Sequence, residues 1–331
     1  MRNKILTLFK PLIFMVAFIC FAQKSSLAEE DLFKFSINGE YGQYHTPKRS
    51  YLGTQDGGAA PVIFNLIRPE NDALLRTVQF GFENKFSHKS DITLSTSVGL
   101  GRASQSDNIG LIDSNGDTLI IGGTASGTSF ALPDGGIGAS NRVSNAKYKF
   151  DYQFYEATTQ IRKKLRTKNN QLSLVPFAGL SYRYSNIEDR FGGDITDFLA
   201  RFENNTDIKV QSLSPTIGTS INFALTPSIT FLNDIHYAYN LNRGRGADTL
   251  EFTGQTTQTE KLKNNNATHS YGVSTGFDFK MNDALSVGII GKYESLGNAP
   301  QMKLRDNLQE SDFDYERADI FSGSVKLSFK F

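Results

Sequence analysis

In ten stretches of this chain apolar and polar residues alternate with a period of two, and the polar set is densely charged. The first runs from Phe33 to Tyr44, with Phe35, Ile37, Gly39 and Tyr41 on one face and Lys34, Ser36, Asn38 and Glu40 on the other. A period of two is the mark of a β-strand whose faces meet different surroundings. The polar faces of the ten segments carry Glu40, Glu83, Lys85, Lys149, Asp151, Arg183, Asp234, His236, Asp278, Lys280, Lys292, Glu294 and Lys326. Charges at that density cannot form a dry core, because desolvating unpaired ions is prohibitive. An exported sandwich and a soluble barrel with an apolar centre are therefore excluded. A barrel with a hydrated lumen and a lipid-facing exterior remains.

The segments predict ten strands, a count with eight and twelve as its neighbours. The second is Thr77–Phe86, the third runs from Ile92 through Leu100, and the fourth covers roughly Lys147–Leu165. In the fourth, Tyr148, Phe150, Tyr152 and Phe154 are expected to face outward, and the phase slips near Tyr155–Glu156, where a bulge is predicted. Later segments are marked by Leu172–Tyr184, Ile217–Leu225, Ile229–Tyr239, Tyr271–Phe279, Leu285–Tyr293 and Arg317–Phe331. Four tight turns, at 87–90, 167–170, 226–228 and 281–283, alternate with five longer connections at 45–76, 106–146, 188–207, 242–268 and 298–313. Such asymmetry fits a closed antiparallel transmembrane β-barrel with short periplasmic turns and long extracellular loops. Negative mean hydropathy excludes a bundle of membrane helices but not such a barrel.

Residues 1–28 read as a cleaved secretory signal: a basic start (MRNK), an apolar stretch ending at Pro11–Ala22, and Ser26-Leu27-Ala28 before Glu29. The uninterrupted apolar run falls short of the roughly 20 residues that a spanning helix needs. Arg2, Lys4, Lys10 and Lys24 leave with it, so the 35 basic residues become 31 against 34 acidic, and the charge moves from +1 to −3. That balance excludes a nucleic-acid binder. The only cysteine, Cys20, leaves too, so residues 29–331, read as one barrel domain, fold without disulfides. Export is expected to follow the Sec pathway.

The chain ends in SGSVKLSFKF. Val325, Leu327, Phe329 and Phe331 share one face, against Ser324, Lys326, Ser328 and Lys330. In hydrocarbon a sheet survives only when closed, so this strand must pair with the first. Here the sequence resembles bacterial outer-membrane β-barrel proteins, both porin-like and opacity-type surface barrels. The resemblance implies that Val325, Leu327, Phe329 and Phe331 form the signal read by the barrel-assembly machinery. It further implies residence in the outer membrane among lipid and lipopolysaccharide.

Asp234-Ile235-His236 places a carboxylate and an imidazole on one face. It looks like an element of the omptin proteases, which are also ten-stranded. The second and third segments carry no Asp-x-Asp, there is no tryptophan, and Asp234 stands only seven residues above the 226–228 turn, too deep to act on protein substrates. A lumenal ion pair is the better reading, with Ser220 or Lys280 as neighbours and Lys280 holding the carboxylate ionised. Asp113-Ser-Asn-Gly-Asp117 lacks the later ligands of a calcium loop and reads as a hairpin tip between Leu111-Ile112 and Leu119–Ile121. Ile195–Phe202 is expected to make a short amphipathic turn at the rim. No metal, cofactor or enzymatic activity is implied. The lumen candidates are Glu83, Lys85, Asp151, Arg183, Asp234, His236, Asp278, Lys280, Lys292 and Glu294. They point to a small porin-like diffusion channel. The alternative is a surface barrel whose loops bind an extracellular partner, and an omptin-like protease ranks last.

Overall fold

The computed structural model describes residues 33–46, 49–56, 61–68, 71–86, 91–113, 119–121, 142–167, 171–195, 200–252, 258–303 and 312–331. The 1–28 leader, the 87–90 turn and the centre of the 113–117 motif lie outside them.

The alternating segments become ten wall strands: β1 (Phe33–Thr46), β2 (Asn71–Lys85), β3 (Ile92–Asp113), β4 (Arg142–Lys163), β5 (Leu172–Ile195), β6 (Ala200–Thr226), β7 (Ile229–Phe252), β8 (Ala267–Lys280), β9 (Leu285–Lys303) and β10 (Asp312–Lys330). Each pairs antiparallel with the next, and β10 pairs with β1 from Lys34↔Lys330 to His45↔Asp319. The Phe331 amide donates to the Phe33 carbonyl at 3.1 Å, which seals the seam to its last residue. The sheet has no free edge in the belt, as hydrocarbon requires.

The register fixes the bore. A walk across paired residues leaves β7 at Asp234, passes Ser274, Lys292, Ser322, Gly42, Leu75, Ala103, Tyr152, Ile187 and Ile208, and returns to β7 at Gly246. The stagger between departure and return is twelve residues, a shear number of 12 for ten strands. With strands about 4.8 Å apart and a rise of about 3.3 Å per residue, the tilt is roughly 40° and the backbone radius about 10 Å. Large side chains from opposite walls meet across such a bore.

Each residue then adds about 2.5 Å of height, so an apolar band about 25 Å tall consumes about ten residues per strand. The strands are longer, up to the 27 residues of β6. The lower part of the outer wall carries the exposed apolar residues, among them Ile161, Ile217, Ile235, Ile289 and Val325. A tyrosine-rich upper girdle follows, with Tyr155 on Tyr184 and Tyr271 beside Tyr293. Phe33 and Phe331, 6.3 Å apart, mark the lower girdle. Such aromatic rings sit at the membrane interfaces.

The wall continues above the upper girdle, which corrects the expected loops. Residues 188–195 pair with 200–207, and 242–252 continue β7. Residues 258–264 extend β8 upward against β7. Ile195 pairs with Ala200, so the rim turn expected at 195–202 is a hairpin in its described part. Leu119–Ile121 pair with residues 64–66 of an accessory hairpin (49–56 with 61–68), whereas Ile112 pairs with Val143, so the flanks of the expected 113–117 tip do not face each other. The sheet persists outside the bilayer because its inner face there is apolar and packed.

The bulge expected at Tyr155–Glu156 is absent. The β3–β4 ladder runs without a shift from Lys147 to Lys163. From Tyr148 to Arg162 the even-numbered residues of β4 face inward, so Tyr148, Phe150, Tyr152 and Phe154 point into the barrel, and Lys149 and Asp151 point out. The inward aromatics belong to one buried cluster of 19 residues that draws on every strand but β7 and β8, whose upper extension adds Leu262. Phe150, Ile187 and Ile208 are completely inaccessible. On the β6–β9 side the same height holds an amide–hydroxyl ladder. Ser212 donates to Asn242 at 2.7 Å, Ser214 to Asn240 at 2.8 Å, Asn240 to Ser270 at 2.7 Å, and Asn298 to Ser212 at 3.1 Å.

Candidate functional site

Below the aromatic plug the lumen opens into a polar chamber of about 810 Å³ that reaches down to the turns. Its upper charges form an alternating chain. The Arg183 guanidinium on β5 donates through Nε to Glu156 Oε2 at 2.8 Å and lies 3.6 Å from Glu294 on β9. Lys292 Nζ lies 2.7 Å from Glu294 and 3.9 Å from Glu40 on β1. The Ser322 hydroxyl donates to Glu40, and those of Thr158 and Ser181 donate to Glu156. Arg183 also stacks over Phe154, 5.0 Å from its ring centroid. The chain of charges thus caps the plug from below. Buried ions persist only when paired and hydrogen-bonded, and here each carboxylate meets at least one cation.

A second group sits lower. Arg162 on β4 reaches Asp234 at 3.4 Å and Glu83 at 4.0 Å, and Lys34 lies 3.8 Å from Glu83. Ser220 Oγ donates to Asp234 at 2.6 Å, and Arg162 donates to the same hydroxyl at 2.9 Å. His236 Nδ1 stands 3.7 Å from the other Asp234 oxygen. Room for this imidazole is made by Gly272, its cross-strand partner: a Cβ there would overlap the His236 ring. Gly218, on the other side of His236, leaves space in the same way for the Phe177 ring, on which Arg162 stacks at 5.1 Å.

Nine of the ten lumen candidates line this chamber: Glu83, Lys85, Arg183, Asp234, His236, Asp278, Lys280, Lys292 and Glu294. Asp151 does not. Its carboxylate receives two bonds from Arg102, at 2.7 and 2.6 Å, on the outer wall above the belt, because the odd residues of β4 face outward. Lys280 is not the partner of Asp234. It donates to Asp283 at 2.5 Å in the turn below, a contact that holds the Asp283 carboxyl below its usual range. The cation beside Asp234 is Arg162, which sequence reasoning missed along with Glu156. Carrying the even phase of β4 down past Tyr155 finds both.

Asp234 already serves Ser220 and Arg162, and no group of three or more potential metal ligands occurs among the described residues.

Comparison with known proteins places these features in a family. A model of the autotransporter β-domain matches residues 69–291. No curated protein sequence matches the chain. Among solved structures, the outer membrane protease OmpT of Escherichia coli is similar over 91% of this chain and 97% of its own, with a TM-score of 0.44 and 12% identity. The transport unit of the autotransporter AIDA-I from Escherichia coli matches at TM-score 0.36 and 9% identity, over 92% of each chain. The translocator domain of the autotransporter NalP from Neisseria meningitidis matches at 0.31 and 9%, over 96% of each. With a closed ten-strand wall, an apolar belt and a family model covering two thirds of its length, this chain belongs to the autotransporter β-domain family of bacterial outer-membrane barrels.

Proposed function

We propose that the barrel is an occluded surface platform. Its lower half anchors the chain in the outer membrane, its upper wall meets extracellular partners, and its lumen is not a through-pore. One observation carries this reading: the interior above the chamber is filled by a single buried aromatic and aliphatic cluster. With a backbone radius of about 10 Å, rings reaching inward from β1, β4, β5 and β10 leave no continuous aqueous path among the described residues. On this reading the partners are membrane lipid and lipopolysaccharide around the belt, the assembly machinery at β10, and a ligand on the upper wall. No enzymatic step is proposed, since the Asp234 carboxylate is already engaged.

The porin-like diffusion channel is the second reading, favoured by the hydrated chamber with its mixed charges. Recording in planar bilayers separates the two. The platform requires an electrically silent wild type, with discrete openings once Tyr44, Phe150 and Tyr152 are all replaced by alanine. Steady conductance in the wild type, with ion selectivity altered by Asp234→Asn, would establish the channel instead.

A further inference from the structure

The chamber's two ends differ in charge. Glu40, Lys292, Glu294, Arg183 and Glu156 near the plug sum to −1. The lower half carries the carboxylates Glu83, Asp234, Asp278 and Asp283, with Asp91 beside it at the rim, against eight cations, a net +3 with His236 neutral. Four of these cations are matched: Lys34 by Glu83, Arg162 by Glu83 and Asp234, Arg166 by Asp91, and Lys280 by Asp283. The other four, Lys85, Lys164, Lys326 and Lys330, have no carboxylate within ion-pair distance among the described residues.

Lys85, Lys164 and Lys330 gather at the mouth, and Lys326 stands above them inside the chamber. Lys330 pairs directly across the seam with Lys34, a like-charge juxtaposition that costs stability when nothing else neutralises it. Lys326 lies two inward steps above Lys330, with Ser328 between them, opposite Asn38. Lys164 stands in the periplasmic turn after β4. Burial pushes its ammonium down, and Arg166, Lys85 and Lys330 push the same way, with Asp91 opposing. The barrel wall separates these inward-facing side chains from the bilayer, so a lipid headgroup cannot satisfy them from the belt. The aromatic plug closes the far end. Their counter-ion must enter from the periplasm.

We infer that the periplasmic mouth of the chamber binds a small, soluble, multiply charged phosphorylated anion. Ammonium groups are compact point charges suited to phosphoryl oxygens. Three of them at the mouth of a water-filled chamber, with Lys326 above, match the three to four charges of a short phosphate chain. The chamber volume of about 810 Å³ admits such a chain whole and excludes nucleic acid and folded protein.

The test is isothermal titration of sodium tripolyphosphate into the folded full barrel, held in zwitterionic phosphatidylcholine vesicles or detergent at low salt. Saturable binding is expected, at least tenfold tighter than for orthophosphate. Lys326→Gln with Lys330→Gln should weaken it at least tenfold, whereas Lys209→Gln with Arg243→Gln on the outer wall should change it less than twofold. Should the first pair fail to fold, as judged by heat-modifiable mobility, Lys85→Gln with Lys164→Gln reads the same mouth. No saturable binding at 1 mM tripolyphosphate, or equal affinity in folded mouth variants, would overturn the inference.

Discussion

Tyr44 on β1 and Tyr152 on β4 lie stacked inside the barrel, their ring centroids 4.8 Å apart although two strands separate them in the wall. Phe150 lies 5.9 Å from Tyr44, and Phe154 lies 5.4 Å from Tyr152. Only an inward-facing set on a narrow barrel makes this contact. Removing the fully buried Phe150 ring leaves a cavity that the rigid wall cannot collapse into. Phe150→Ala should therefore cost about 3–5 kcal/mol in urea unfolding from vesicles. A cost under 1 kcal/mol would mean that the cluster is not packed.

Gly101 on β3 supports the same plug from the wall, since a Cβ there would overlap the Phe154 ring and approach Thr77. Gly101→Ala should destabilise by about 1–3 kcal/mol through overpacking. Combining it with Phe154→Leu should cost less than the sum of the two single changes, because the smaller side chain yields the space. Strict additivity would show that the two positions do not meet.

Arg183 is shared by Glu156 and Glu294, so Arg183→Met strands Glu156 at the base of the plug and leaves Glu294 to Lys292 alone. A loss of about 3–5 kcal/mol is expected. Glu156→Gln should cost less, since Glu294 remains to pair the guanidinium. Equal losses for both variants would refute the shared-cation arrangement.

Sidedness is open to labelling, because the only native cysteine lies within the 1–28 leader. A cysteine at Arg243, on the outer wall above the belt, should react with a membrane-impermeant maleimide on intact cells. One at Asp283, in a short turn, should react only after the outer membrane is permeabilised. The reverse pattern would invert the topology.

Phe331→Ser removes the ring that lies 6.3 Å from Phe33 at the seam, while the amide that bonds the Phe33 carbonyl remains. The yield of heat-modifiable barrel should fall severalfold, with the stability of the fraction that does fold altered far less. Unchanged yield would remove the tail from assembly.

The strands were readable because lipid outside and water inside impose alternation on every segment, and nine of ten were assigned their correct face. β4 was inverted. Its sequence YKFDYQF alternates as cleanly as a lipid-facing strand, and a period says that two faces differ without saying which is inside. Depth was the missing coordinate. Counting about ten residues up from the turn after Lys163 ends the belt near Tyr155, which leaves Tyr148–Phe154 above the membrane, where inward apolar residues can pack a dry core. The same rule brings Glu156 and Arg162 into the lumen and sends Asp151 out to Arg102. Lys280 was linked to Asp234 on shared face alone, yet six residues of height separate their rows, since Asp234 pairs with Ser274.

The seam between β10 and β1 also dictates when this protein can exist. Glu40 and Ser322, joined by a hydrogen bond there, are 282 residues apart in the chain. Every other junction in the wall joins strands that follow one another in sequence. Neighbouring strands can therefore zip in order as short-range steps, but the ring is completed only by its most remote encounter, the slowest kind of contact to form. Until that moment two unpaired margins face the hydrocarbon. A nearly finished barrel is consequently no partial version of the finished one, and quality control that acts on exposed strand margins has until the last ten residues to intervene.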